Sequence, residues 1–459
     1  MSLRKLLKNF CTDAYQELTR MGELPRPPYD SPLIAGNVIF THPLSKLMSY
    51  TQLQEYMRSS GLSDKLRDIG HTWLWHYEVF EWLFLERVIA ESSGISLDVS
   101  AFNKVFYRAL AEISRSSFRI RRITTLNGLP ELSSPIALRK GVLLSPHHNN
   151  LAELLGRRFQ NANREPSLWV DPNNCLLIQD RVIPKRNEGK ELLASREQLR
   201  NQAEIVIKAL KISLDTPIYP KAVYSAYLSS FPLLPIFHTE FEEFSGFLYS
   251  IQRSIRNAEI RAILRNFKFI NNSESLKPLE SGFFRTALDK FSDSFRGMQE
   301  KQSIVDLVVA LEAMLRVDVE ELRRRLATYT AFLLGTNDNS RRMFYDHVFA
   351  GYKLRNAIVH GSDDQEKRIC NALTDFFPEL KSKLPNEVIP YISKATEELQ
   401  RITRLLLRAY VYMRCNGTRE KWPDTDELEY LPFDSTKRRL IQRQLGITAK
   451  QPAPPSWHF

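Results

Sequence analysis

From Thr239 onward the apolar positions recur every three or four residues. Ile392, Ala395, Leu399, Ile402, Leu406, Ala409 and Met413 alternate strictly by three and four, which predicts one long amphipathic helix. Phe284, Leu288, Phe291 and Phe295 repeat in the same way. Ile304–Leu315 is apolar nearly all round, interrupted only by Asp306 and Glu312, and so reads as a buried central helix. Leu322–Leu334 follows, with Gly335 placed to end it, and Phe344, Val348 and Tyr352 mark the next helix. Thr239 and Glu242 form a capping box ahead of Phe241, Phe244, Leu248, Ile251 and Ile255. These segments predict an antiparallel helical bundle over 238–415.

The N-terminal half is patterned differently. Tyr50–Ser114 is helical and aromatic, with Trp73, Trp75, Tyr77, Phe80, Trp82, Phe84 and Phe106. Because aromatic side chains mostly bury, this stripe reads as core or a domain contact rather than a base-stacking surface. His71 and His76 are spaced for structure rather than for ligation. Phe118–Leu126 is β-rich, Asn127-Gly128 is a turn signal, and Ile136–Leu138 and Val142–Leu144 are short strands. Leu168–Val170 and Cys175–Ile178 form a hairpin around Asp171-Pro172-Asn173-Asn174. A helix at Ser195–Lys211 opens on a Ser195/Gln198 capping box, and Pro217, Pro220, Pro232 and Pro235 then break the chain into extended pieces. The expected fold class is α+β. A helical, aromatic-rich region (1–115) and a mixed, mainly β domain (116–237) precede the all-α bundle (238–415). A basic, Pro-rich tail (416–459) follows, poorly ordered from Leu431.

Composition narrows the function classes. With 459 residues, 43% hydrophobic and 25% charged, the chain is neither disordered, collagen-like nor a coiled-coil rod. No window approaches the ~18 uninterrupted apolar residues of a membrane span. The segment MSLRKLLKNFCTD lacks the apolar core of a signal peptide, so the expectation is a cytoplasmic protein with no membrane partner. Cys11, Cys175, Cys370 and Cys415 lie far apart, against a disulfide framework or a cysteine zinc site and in keeping with a reducing compartment. His147-His148-Asn149-Asn150 reads as a surface loop in preference to a metal site, since no third ligand accompanies it. No phosphate-binding or dinucleotide motif occurs, and neither metal nor cofactor is expected. The 64 Lys and Arg against 53 Asp and Glu, a net charge of +11, permit a polyanionic partner without selecting one.

Chemistry concentrates in Tyr352-Lys353-Leu354-Arg355-Asn356-Ala357-Ile358-Val359-His360-Gly361. Arg355 shares a stripe with Phe344, Val348 and Tyr352, and an inward Arg is costly unless a carboxylate, phosphate or cleft receives it. His360 lies five residues on, about 140° away on a continuous helix, so both address one site only if the helix ends between them. Gly361 is a natural terminator there. Spacing leaves two readings open: a His on a helix C-terminus beside a structural Arg ion pair, or a site.

Arg355-Asn356-x-x-x-His360-Gly361 resembles the R-x4-6-H signature of the HEPN superfamily. Ser303–Leu315 (SIVDLVVALEAML), Leu322–Gly335 (LRRRLATYTAFLLG) and Tyr352–Gly361 (YKLRNAIVHG) are similar, in order and spacing, to the Apea-like HEPN branch. The resemblance covers about Glu280–Arg414, and Leu126–Leu155 is similar to the region preceding such bundles. The resemblance implies a metal-independent endoribonuclease. Arg355 would stabilise the phosphorane, His360 transfer protons and Asn356 assist, with Glu312, Tyr352 and Lys353 in support. The chemistry is self-consistent: attack by the RNA 2′-OH needs a base, an acid and a cation, and leaves a 2′,3′-cyclic phosphate and a 5′-OH. One His per chain supplies half of the acid–base pair, so a homodimer through the bundle is expected, as HEPN relatives form. The H-x-Y motif of HEPN toxins controlled by a nucleotidyltransferase is replaced by His360-Gly361-Ser362. Regulation is instead expected in the N-terminal half, which would sense a phage or cellular trigger in an anti-phage, abortive-infection role. The alternative is a non-catalytic HEPN module that binds RNA or a protein partner.

Three further features complete the reading. Glu312, on an otherwise apolar helix, has two candidate partners, Arg316 at i+4 and Arg355. Arg119, Arg121 and Arg122 in Phe118–Ile123 are candidate RNA-backbone contacts along a strand face. Lys437-Arg438-Arg439 is a candidate phosphate contact or a solvated tail.

Overall fold

Apolar helix faces, and one helix that is apolar around most of its circumference, set the architecture of the C-terminal half. The computed structural model describes residues 2–21, 43–62, 79–92, 97–114, 117–146, 175–184, 188–228, 237–240, 253–273, 278–295, 300–316, 321–361, 364–415, 422–444 and 447. They are mostly helical, with one six-stranded sheet in the N-terminal half. By its contacts the chain divides into two units. One comprises Met1–Leu126, Leu132–Asn201 and Pro220–Glu242; the other comprises Asn127–Glu131, Gln202–Tyr219 and Glu243–Phe459. The helices before residue 117 thus share a unit with the sheet.

In the first unit, helices α1 (Leu3–Met21), α2 (Met48–Ser59), α3 (Val79–Glu91) and α4 (Val99–Ser114) enclose a core containing Phe10, Leu53, Phe84, Phe102 and Phe106. Phe80, Phe84 and Phe106 are buried, as an aromatic core requires. Trp73, Trp75, Tyr77, His71 and His76 lie outside the described residues, as do Leu168–Val170 and His147-His148-Asn149-Asn150. The strands are β1 (Ser117–Asn127), β2 (Ile136–Arg139), β3 (Val142–Ser145), β4 (Cys175–Pro184), β5 (Tyr219–Leu228) and β6 (Phe237–Glu240). They are ordered β2-β3-β4-β1-β5-β6, and β1 runs antiparallel to β4 from Ser117 opposite Pro184 to Leu126 opposite Cys175. The run Arg122–Leu126 is buried on both faces, in keeping with the apolar and Thr residues that follow Arg122.

Three expected boundaries are corrected. Helix α5 (Glu188–Ser213) starts seven residues before Ser195, whose side chain is buried inside the helix and caps nothing. Leu192, Leu193 and Ala194 are good helix formers, and they extend the helix past a capping pattern that arises by chance. Thr239 lies in strand β6, and Ile255 sits beside an isolated bridge between Glu131 and Ser254; the expected helix start at Thr239 is therefore absent, and 241–252 lie outside the described residues. The next helix is α6 (Asn257–Ser273), whose first turn holds Glu259, bonded by Arg253, by Arg256 and by the Arg256 backbone N–H. Thirdly, the tail is structured where it was expected to be loose, at least over 422–444, as described below.

In the second unit, α7 (Pro278–Asp293), α8 (Glu300–Leu315), α9 (Leu322–Leu334), α10 (Asp338–Val359), α11 (Gln365–Phe376) and α12 (Ile392–Cys415) pack together. Helix α8 is the centre, touching α7, α9, α10 and α12. Ile304, Leu307, Val308, Leu311, Met314 and Leu315 are almost fully buried, each contributing roughly 1.5–3 kcal/mol of apolar transfer. Every member of the Ile392-to-Met413 stripe is buried as well. Arg404 and Arg408 of α12 donate to the last carbonyls of α5, at Lys211 (2.9 Å) and Ser213 (2.8 Å), satisfying acceptors that a helix end leaves open. The C-terminal helices α13 (Thr425–Tyr430) and α14 (Ser435–Gln444) close the bundle. Trp422 Nε1 donates to the Met314 carbonyl (2.8 Å), and Gln442 Nε2 reaches the carbonyls of Phe332 (2.9 Å) and Gly335 (3.0 Å) at the end of α9. Arg438 donates to the Leu431 carbonyl and covers Phe332, so it is not a free phosphate contact. Among the described residues no helix is long and apolar enough to cross a membrane.

Gly128 provides a test of the second unit. Its φ is +80°, and a Cβ there would lie 1.7 Å from the Pro217 carbonyl oxygen. Gly61 has φ +67° but open space around it. Gly61→Ala should cost only the left-handed strain, about 1–2 kcal/mol. Gly128→Ala should cost more and lower the thermal midpoint further, as measured by calorimetry on the two variants.

Candidate functional site

The rotation of α10 about its axis decides where the candidate residues point. Asn337 caps the helix by accepting from Ser340 N (2.8 Å), while Ser340 Oγ accepts from Asn337 N (3.1 Å). Phe344, Val348, Ala350, Leu354 and Ala357 are buried and hold one face inward. Gly351 lets α10 approach α12 closely, since a Cβ would stand 2.8 Å from Leu399 Cδ2. Tyr352, Arg355 and Asn356 are thereby left half-buried at the rim of that packed face.

Arg355 Nη1 donates to Asn356 Oδ1 (3.0 Å), and the guanidinium carbon stands 5.8 Å from the Tyr352 ring centre. Its Nε is buried without a hydrogen-bond partner. Glu312 of α8 makes neither expected ion pair within 4.0 Å. The Arg316 guanidinium lies over the Phe283 ring at 4.0 Å, while Arg355 acts on Glu312 only through its field. Burial raises the Glu312 carboxyl above its ordinary value, and the Arg355 charge opposes this without cancelling it. Burial likewise raises the Tyr352 hydroxyl, with Glu312 adding to the effect and Arg355 and Arg323 opposing it. Glu312, Tyr352, Arg355 and Arg323 therefore share one electrostatic neighbourhood.

His360 is placed differently. Helix α10 continues through Val359, and His360 is its C-cap, with the backbone N–H donating to the Asn356 carbonyl (3.0 Å). The residue is exposed and its imidazole has no partner among the described residues. Gly361 is not in the left-handed conformation. The helix end is met instead by Gln365 Nε2, which donates to the Ile358 carbonyl (2.9 Å). With no helix break between them, Arg355 and His360 diverge by about 140° within one chain.

The remaining candidates separate. Lys353 pairs with Asp375 (2.6 Å) on α11, away from Arg355. Arg119 is exposed; Arg121 is held by Asp180 through Nε and Nη2 (both 2.7 Å); Arg122 faces the opposite side of β1 and is buried. Side chains alternate along a strand, so these three do not line one face. Among the described residues there is no cluster of three His, Cys, Asp or Glu able to hold a metal.

Two groupings escaped the sequence reading. His347 Nδ1 meets Glu398 Oε1 (3.0 Å), Arg401 Nε donates to Glu398 Oε2 (2.8 Å), and the imidazole stacks on Phe376 with ring centres 4.9 Å apart. Burial acts to raise Glu398, but the bonds from Arg401 and His347 outweigh it and hold the carboxylate below its ordinary range. Arg323 of α9 covers Phe349 of α10. The spacing of Tyr345, Phe349 and Tyr352 carried a signal for the second grouping; nothing local in the sequence links His347 to Glu398. No family model, no curated protein and no solved structure matches the chain.

Glu312 yields a pH-dependent test. A carboxyl raised on folding contributes most below its unfolded value of 4.5, and that contribution is lost as pH rises through the folded value. At pH 8 the ionised, unpaired Glu312 is therefore a cost, and Glu312→Gln should raise the thermal midpoint. At pH 4 the two proteins should melt together. Destabilisation of Glu312→Gln at pH 8 would mean that attraction to Arg355 outweighs burial.

Proposed function

We propose that the chain is a metal-independent endoribonuclease of HEPN type, similar to the Apea-like branch, acting as a homodimer. The observation that carries the reading is the guanidinium of Arg355. It is fixed by Asn356, lacks a partner at Nε, and lies five residues, about 1.4 turns, before an exposed, unpartnered His360. A phosphate would satisfy Arg355 through paired N–H donors, and a neutral imidazole would accept the 2′-OH proton. The 2′-oxygen then attacks phosphorus and the 5′-oxygen leaves with a proton from a second imidazole. The divergence of Arg355 and His360 within one chain is the reason for the dimer: two-fold pairing brings a partner's motif to the same cleft. The bundle would be the effector, and the N-terminal half would answer to a phage or cellular trigger in an abortive-infection response.

The same divergence favours a second reading, a non-catalytic HEPN module that binds RNA or a partner. Cleavage of an RNA by wild type, Arg355→Ala and His360→Ala in excess chelator separates the two. The nuclease reading expects 2′,3′-cyclic phosphate ends from wild type and losses of about 10²–10⁴-fold in both variants. Equal behaviour of wild type and His360→Ala would leave the binding module; loss of wild-type activity in chelator would reject the metal-free mechanism.

A further inference from the structure

The stretch of α10 that leads to Arg355 carries a row of aromatic rings at its surface. Tyr345, Phe349 and Tyr352 fall at i, i+4 and i+7, on one face of the helix. All three are half-buried, whereas Phe344 and Val348 beside them are buried. The rings of Tyr345 and Phe349 are nearly parallel, inclined by 16° with centres 5.6 Å apart. Cations attend the row. The Arg323 guanidinium lies 4.2 Å from the Phe349 centre, Lys353 Nζ lies 5.2 Å from the same ring, and Arg355 lies 5.8 Å from Tyr352.

The charges along this face are unequal. Asp375 is matched by Lys353, Asp346 is loosely paired with Arg342 at 3.8 Å, and Glu312 faces Arg355. Arg323 is exposed and forms no ion pair, which leaves it as surplus positive charge over an aromatic surface. Arg324 beside it is exposed and only loosely paired, 3.7 Å from Glu321. A partner for this face must offer flat π surfaces at intervals together with regular negative charge. Helical rise sets the ring-bearing positions about 6 Å and then about 4.5 Å apart along the axis, a spacing a strand of unstacked nucleotides can follow. Duplexes hide the faces of their bases, so the matching ligand is unpaired.

We propose that Tyr345 and Tyr352, on either side of a Phe349 that Arg323 covers, form a stacking platform for the unpaired bases of an RNA strand, with Arg323 meeting its phosphates and Arg355 at its end. This rests on the reading of Arg355 as the phosphate-gripping group of a ribonuclease. The platform sets the path of the strand along α10 and gives a duplex, whose base faces are hidden, nothing to stack on.

The test measures binding with the full chain carrying His360→Ala, so that the RNA stays intact. The probes are a fluorescein-labelled 12-nucleotide oligoadenylate and the duplex it forms with its complement, titrated across a salt series. Tyr345→Ala should weaken single-strand binding about tenfold, Tyr345→Trp should retain it, and duplex binding should not change. Arg323→Gln should reduce the slope of log affinity against log salt by about 0.7, the share of one phosphate on a single strand. Unchanged single-strand affinity in Tyr345→Ala, or equal losses on strand and duplex, overturns the platform. So does a Tyr345→Ala chain that loses its self-association in sedimentation while its RNA affinity is kept, since the face would then belong to a second copy. A chain that shows the expected binding but whose wild type does not cleave keeps the platform and discards the nuclease; one that cleaves while its binding ignores Tyr345 does the reverse.

Discussion

Helix α8 leaves exposed only its first turn, and a narrow stripe through Val305, Val309 and Glu312 is half-buried. The rest of its surface is mostly apolar and buried, so the C-terminal half is stable only if α7, α9, α10 and α12 pack around it. The position of each surrounding helix is set by what it must lay against α8, and its remaining surface is free to carry polar groups. For α10 this means Phe344, Val348, Leu354 and Ala357 inward, and Tyr352, Arg355 and Asn356 at the edge. The placement of the candidate site follows from core packing rather than from any attraction among the site residues.

The polar groups admitted to this interior differ in how they are answered. Asp306, on α8 itself, is bonded by Lys290 (3.0 Å). Glu398 is bonded by both Arg401 and His347, and Arg404 spends its Nε on a helix-end carbonyl. These are closed arrangements, as buried polar groups require. The neighbourhood of Glu312, Tyr352 and Arg355 is not closed: the carboxylate forms no ion pair and the guanidinium keeps an unpartnered Nε. Arg265 of α6 likewise keeps a buried Nε without a partner, but at Arg355 a half-buried carboxylate without an ion pair stands in the same field, and there a ligand has something to gain.

The sequence resolved the long helices well, because a seven-position stripe such as Ile392 to Met413 has few alternative explanations. It resolved their ends poorly. Ser195/Gln198 and Thr239/Glu242 both match a capping box, yet Ser195 lies inside a helix and Thr239 in a strand, because a four-residue pattern of common residues recurs by chance and neighbouring propensity or strand pairing overrides it. The box that does cap α10 couples Asn337 to Ser340, without the Glu or Gln of the familiar form. Gly361 looked like the terminator of α10, yet the work is done by Gln365 from the next helix. The Pro-rich end suggested a loose tail, but Trp422 and Gln442 tie 422–444 to α8 and α9 through single side chains that periodicity does not report.

By itself the sequence determined the long helices of the C-terminal half, which of their faces are apolar, and that Arg355, Asn356 and His360 lie on one short stretch of chain. These are local properties, written at spacings of two, three and four residues. Only the tertiary structure decided that Glu312 and Arg323 join Arg355 while Lys353 goes to Asp375, and that Arg121 is held by Asp180. It also decided that α10 runs unbroken to Val359, turning His360 away from Arg355. The reason is that partners distant in the chain are chosen by how helices rotate against a shared core, and that rotation depends on the whole packed surface at once.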